Sequence, residues 1–113
     1  MQHRDRIVLL KVISEIDIGT ELLGDTTLEA FLENELLKRA VCMTVINIGE
    51  LIKNISDELC SSHREVPWKA VAGMRDIAAH KYQTLRMEDV YNTARIDFTE
   101  LRNLLQTVLK EEQ

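Results

Sequence analysis

From Arg6 to Leu23 the apolar residues Leu9, Ile13, Ile16 and Leu23 recur at steps of three and four, with Thr20 filling the one gap and Val12 widening the stripe. That spacing predicts an amphipathic helix with one buried face. Gly19 weakens its last turn, and Gly24-Asp25 then breaks it. Thr26-Thr27-Leu28-Glu29 has the T-x-x-E form of a capping box and predicts a new helix start. From there the chain runs without proline as far as Glu65 and carries two apolar stripes. One is Leu28, Phe31 or Leu32, Leu36, Ala40, Met43, Leu51 and Ile55; the other is Leu37, Val41, Val45, Ile48, Ile52 and Leu59. Leu28 to Glu33 reads as a separate short helix that bends at Asn34. A helix apolar on two sides must cover both. One side can meet the first helix, and the other needs the C-terminal helices or a second chain. Gly49 marks a place where two helices can approach closely.

Cys60 to Val66 is polar and reads as a loop, with Pro67 suited to the first position of the next helix. Trp68, Val71, Met74 and Ala78 face inward on that helix, which ends near His80 to Gln83; Trp68 reads as core packing at its start. Thr84 to Asp89 is a connection. From Val90 the set Ala94, Phe98, Leu101, Leu105 and Val108 continues as the cleanest helical stripe in the chain. No segment alternates as a strand would. The pattern predicts an all-α, mostly antiparallel bundle of four to five helices with short loops.

At 113 residues the chain has room for one core, and its four glycines and one proline are too few for a loop-rich protein. No apolar run is long enough for a signal peptide or a membrane span. Cys42 and Cys60 are the only cysteines, in no metal-binding spacing, and read as reduced thiols of a cytoplasmic protein. The formal net charge of -5 argues against a general nucleic-acid coat. The distribution modifies this: between Arg64 and Arg86 there are five basic residues (Arg64, Lys69, Arg75, Lys81 and Arg86) against two acids, Glu65 and Asp76. Such an excess permits phosphate binding.

The candidate chemistry lies in Met74-Arg75-Asp76-Ile77-Ala78-Ala79-His80-Lys81-Tyr82. Arginine presents a planar fork of donors that matches phosphate oxygens and cannot act as a base near neutral pH. Histidine can give or take a proton there. Arg75 and His80 are thus a minimal set for cleaving RNA without metal. The imidazole would deprotonate a 2′-hydroxyl or protonate the leaving 5′-oxygen, and the guanidinium would stabilise the charge on the phosphoryl oxygens. Five positions place them about 140° apart around a regular helix. They converge only if the helix loosens near His80 or a second copy contributes. Asp76 and His80 share a face, so Asp76 can accept a hydrogen bond from the imidazole. His3 and His63 read as terminal and loop residues.

The pattern R-x4-H-x-Y, with Ile48-Gly49-Glu50 and Pro67-Trp68-Lys69 ahead of it in that order, resembles the HEPN superfamily and, within it, the HepT-like toxins of toxin–antitoxin pairs. The likeness extends from about Ala40 to the C-terminus. It implies that residues 1–113 form a single HEPN-like helical domain that pairs as a two-fold homodimer. It also implies a metal-independent endoribonuclease toxin of a type VII-like pair, with Arg75 and His80 of both protomers lining one cleft and no cofactor. The partner implied is a cognate minimal nucleotidyltransferase antitoxin, which would adenylylate Tyr82. In such proteins the residue after the arginine is often Asn; the carboxylate of Asp76 would repel a phosphate beside it, or tune His80. The alternative is a non-catalytic HEPN helical module that binds a nucleotide or a nucleotidyltransferase.

Overall fold

The computed structural model describes all 113 residues. It is all-helical: α1 (His3–Leu23), α2 (Leu28–Glu33), α3 (Glu35–Ile52), α4 (Asp57–Ser62), α5 (Trp68–His80), a 3-10 turn (Tyr82–Thr84), then α6 (Met87–Asn92) and α7 (Phe98–Glu111). The last two form one rod through a π-helical turn, Thr93–Asp97. Four long elements carry the bundle, and α2 and α4 are six-residue pieces between them. No helix is long and apolar enough to cross a membrane.

Side-chain pairings fix the register. Glu15 meets Asn47, and Asp5 meets Ser56, so α1 and α3 run antiparallel. Gly49 against Arg75, and Glu35 near Tyr82, set α5 antiparallel to α3. Asp17 with Arg102, and the Met1 amine with Glu112, set α7 antiparallel to α1. Between them lies one core in which Leu9, Ile16, Phe31, Ile48, Phe98 and Leu105 are essentially sealed from solvent. The stripe from Val41 through Val45 and Ile48 to Ile52 enters this core, as its spacing predicts.

The other stripe of α3 does not: Leu36 is 81% exposed and Met43 54%. Nothing in the protomer covers them. Phe31 and Ile55, from the same stripe, are buried because α2 and the α3–α4 turn bend them inward.

Several boundaries differ from the sequence expectation. Thr27, not Thr26, caps α2, its hydroxyl accepting from Ala30 N. The bend expected at Asn34 is present: Asn34 separates α2 (Leu28–Glu33) from α3 and caps the latter, Oδ1 accepting from Leu37 N. The long helix does not reach Leu59. It stops at Ile52, and α4 begins after Ser56, whose Oγ accepts from Leu59 N. That break carries neither glycine nor proline and is held from outside. The Asp5 carboxylate, 1% exposed, accepts from Ser56 N at 3.0 Å and from Ser56 Oγ at 2.6 Å. Asp5→Ala leaves both half-buried donors without this partner and is expected to cost roughly 1–3 kcal/mol, read as a lower melting temperature. The C-terminal rod of α6 and α7 starts at Met87 rather than Val90, and α1 at His3 rather than Arg6.

Gly24 ends α1 at φ 51, the left-handed region that glycine enters freely. The π turn then serves this corner. Arg95 donates to the carbonyls of Gly24 and Thr26, and Tyr91 Oη also donates to Thr26. Cys42 and Cys60 are free thiols, the first buried.

Candidate active site at the end of helix α5

Gly49 positions the site. A Cβ built there would lie 2.5 Å from Arg75 Cβ and 3.2 Å from both Arg75 N and Val71 O. No side chain fits, so α5 lies directly on α3 and Arg75 emerges beside Glu50. The close approach inferred from Gly49 in the sequence is therefore present, and Arg75 is what it brings near.

Arg75 is gripped on three sides. Its Nε lies 2.6 Å from Glu50 Oε2 in an ion pair whose N–H is not aimed at the oxygen. Its Nη1 donates to Asp76 Oδ1 at 3.2 Å and reaches His80 Nε2 at 3.3 Å. A guanidinium only donates, so Nε2 of His80 must be the accepting, unprotonated nitrogen in this arrangement. Arg75 and His80 thus meet within one protomer, where regular helical spacing set them on different faces. His80 is the last residue of α5, and Lys81 leaves helical geometry at φ -126, ψ 28. No further turn covers the ring, and the long arginine side chain bends along the helix to it.

Asp76 does not touch His80. It lies between Lys53 Nζ, at 3.0 Å, and Arg75. Lys53 first, then Arg75, hold its carboxyl below the usual aspartate range. Asp76, then Glu50, strengthen the hold of Arg75 on its proton. The fork is therefore neutralised at rest, with Nη2 left unengaged. A phosphate binding both terminal nitrogens must displace Asp76 or His80 from Nη1.

Tyr82 sits in the 3-10 turn after α5, half-buried, with its ring 5.2 Å from the Arg39 guanidinium. Its hydroxyl points at Glu35 Oε1 at 3.5 Å, the long limit of a hydrogen bond. Burial, then the charge of Glu35, push the phenol up, so it is protonated near neutrality. Glu50 and Lys53 take part in the site although the motif spacing alone does not single them out. The available signal was an acid directly after the close-approach glycine, with a base three residues on. Of the basic residues expected to favour phosphate, Arg64, Lys69 and Lys81 have no carboxylate within ion-pair distance, whereas Arg75 is paired and Arg86 meets Glu88.

The profile of the family described as Ribonuclease HepT-like matches residues 12–108. A protein named "Putative RNase" from Caldanaerobacter subterraneus subsp. tengcongensis is 30% identical over 108 residues, covering 96% of each chain. A protein named "Probable ribonuclease HepT" from Thermococcus cleftensis is 28% identical, again over 96% of each. No solved structure matches the chain significantly. The family profile spans nearly the whole bundle, including the α3–α5 contact and the motif, and the chain belongs to the HepT-like ribonuclease family.

Proposed function

We propose that the protein is a metal-independent endoribonuclease in which His80 moves the protons and Arg75 carries the charge of the scissile phosphate. The observation that carries this reading is the 3.3 Å approach of Arg75 Nη1 to the unprotonated Nε2 of His80. A phosphate held by the arginine fork would bring its neighbouring 2′-hydroxyl to that nitrogen. The imidazole takes the hydroxyl proton, the 2′-oxygen attacks phosphorus, and the 5′-oxygen leaves as an alcohol once protonated. The products are a 2′,3′-cyclic phosphate and a 5′-hydroxyl end.

The outward stripe of α3 supports a two-fold homodimer. Leu36, Ala40, Met43, Asn47, Glu50 and Asn54 are spaced by 4, 3, 4, 3 and 4, and the upper part is apolar and uncovered. Pairing two such faces buries Leu36 and Met43 and puts two copies of Arg75 and His80 along one cleft, where one histidine acts as base and the other as acid. Tyr82 lies by Glu35 and Arg39 at the first turn of the same helix. In this reading it is the residue that a minimal nucleotidyltransferase antitoxin adenylylates, adding bulk and negative charge at the cleft.

The Asp76–Arg75 contact favours a second reading, a non-catalytic module binding a nucleotide or that nucleotidyltransferase, because the carboxylate occupies the fork a phosphate needs. RNA incubated with the purified protein in excess EDTA separates the two. Cleavage is expected, and Asp76→Asn is expected to raise it by up to about tenfold as one nearby negative charge is removed. RNA left intact by both forms at every pH, together with tight nucleotide or partner binding, would establish the second reading instead.

A further inference from the structure

His63 is not a loop residue open to solvent. It closes α4 and is 5% exposed. Its carbonyl accepts from Nε1 of Trp68, the first residue of α5, at 2.9 Å. Its ring is set between carboxylates from distant parts of the chain. Nδ1 lies 3.1 Å from Glu65 Oε1 and 3.6 Å from Glu111 Oε2, and Nε2 lies 2.8 Å from Glu112 Oε2. The Met1 amine meets Glu112 on its other oxygen, at 3.2 Å. Glu65 comes from the loop before α5, Glu111 and Glu112 from the end of α7, and the amine from the start of α1.

A neutral imidazole has one N–H and one lone pair. Here, whichever nitrogen lacks its proton turns that lone pair towards a carboxylate. Only the doubly protonated ring satisfies both sides, by two charge-assisted hydrogen bonds to a side chain that is itself nearly sealed from solvent. We propose that His63 is a proton-operated latch that ties the start of the motif helix to the C-terminal end of α7, and that loosens this tie when the ring gives up a proton.

The same contacts set the direction of the pH effect. The Glu112 hydrogen bond, against the opposing effect of burial and with help from Glu65, raises the proton affinity of His63 in the fold. A proton bound more tightly by the folded state contributes its stability fully below the unfolded value of about 6.5, and that stability is lost as pH rises through the folded value. On the acid side, His63 and then the terminal amine hold the Glu112 carboxyl down, and that contribution is lost as pH falls through its folded value. The latch is therefore closed in mild acid and opens towards alkaline pH.

Trp68, the single tryptophan, reports directly, because its indole N–H is bonded to the His63 carbonyl. Urea unfolding is followed by its fluorescence in EDTA, which removes any divalent cation that could replace the proton. Between about pH 6 and about pH 9 the midpoint of the wild-type protein should fall, and in His63→Gln that fall should be absent. Equal pH dependence in the two proteins would overturn the proposal. Should His63→Gln not fold, the ring-carbon NMR signals of the wild-type protein decide, with His3→Ala and His80→Ala assigning the other two histidines. His63 titrating above about 6.5 supports the latch, and His63 at or below that value refutes it.

Discussion

Replacing His80 with alanine is expected to lower RNA cleavage by roughly 10²–10⁴-fold, and replacing Arg75 by roughly 10²–10³-fold. These losses should not come from unfolding. His80 is exposed at the end of α5, and its only side-chain partner is Arg75, so His80→Ala should leave stability within about 0.5 kcal/mol. Arg75 is more deeply set, but Glu50 and Asp76, the carboxylates it would leave behind, are more than half exposed and can be hydrated. The two variants should differ kinetically. The imidazole acts on protons in flight, so its loss falls on kcat. The guanidinium holds the phosphate before and during reaction, so its loss falls on both kcat and KM. Arg75→Lys keeps the charge but not the fork, and should recover only part of the activity. Melting curves run beside the rates check that the folds are intact.

The second large effect is expected at Gly49, a residue with no chemistry of its own. An alanine Cβ there collides with Arg75 Cβ and crowds the backbone of α5, so α5 must move off α3. Overpacking of this kind costs about 1–3 kcal/mol, against which the alanine returns about 1 kcal/mol of helix propensity. The net stability change is therefore modest. The displacement acts directly on Arg75, and a shift of about 1 Å in a positioning group can cost as much as 10²-fold in rate. Gly49→Ala should thus lose activity out of proportion to stability. Two other glycines calibrate this. A Cβ at Gly19 would meet the buried Phe98 ring at 2.6 Å and Thr44 Cγ2 at 2.9 Å but neither Arg75 nor His80, so Gly19→Ala should destabilise with less effect on the site than Gly49→Ala. At Gly73 a Cβ meets nothing within 4 Å, and alanine should stabilise by about 0.5–1 kcal/mol.

The helical class and its long elements were legible because the core is built by periodic stripes: Leu9 to Leu23 on α1, Val41 to Ile52 on α3, and Val90 to Val108 on the last rod. The short pieces were less legible, since their boundaries depend on contacts across the fold. The break before α4 is held by Asp5, fifty-one residues away, and no local breaker residue announces it. Gly49 was readable as a close approach, but which side chain would fill the gap was not. The motif pointed to Arg75, His80 and Tyr82 as residue types. It did not give the bend of Arg75 to His80, which depends on where α5 ends, nor the capture of Asp76 by Lys53 from a different helix. His63 looked like a loop residue because its three carboxylate partners come from the next turn and from the far end of the chain.

The most direct test compares the wild-type protein with His80→Ala on a short end-labelled RNA in excess EDTA, reading both the extent of cleavage and the chemistry of the new ends. Fragments carrying 2′,3′-cyclic phosphate and 5′-hydroxyl ends from the wild-type protein, and none from the variant, are the expected result. Equal cleavage by the two proteins, or ends bearing 5′-phosphate, would contradict the assignment of the proton-transfer role to His80.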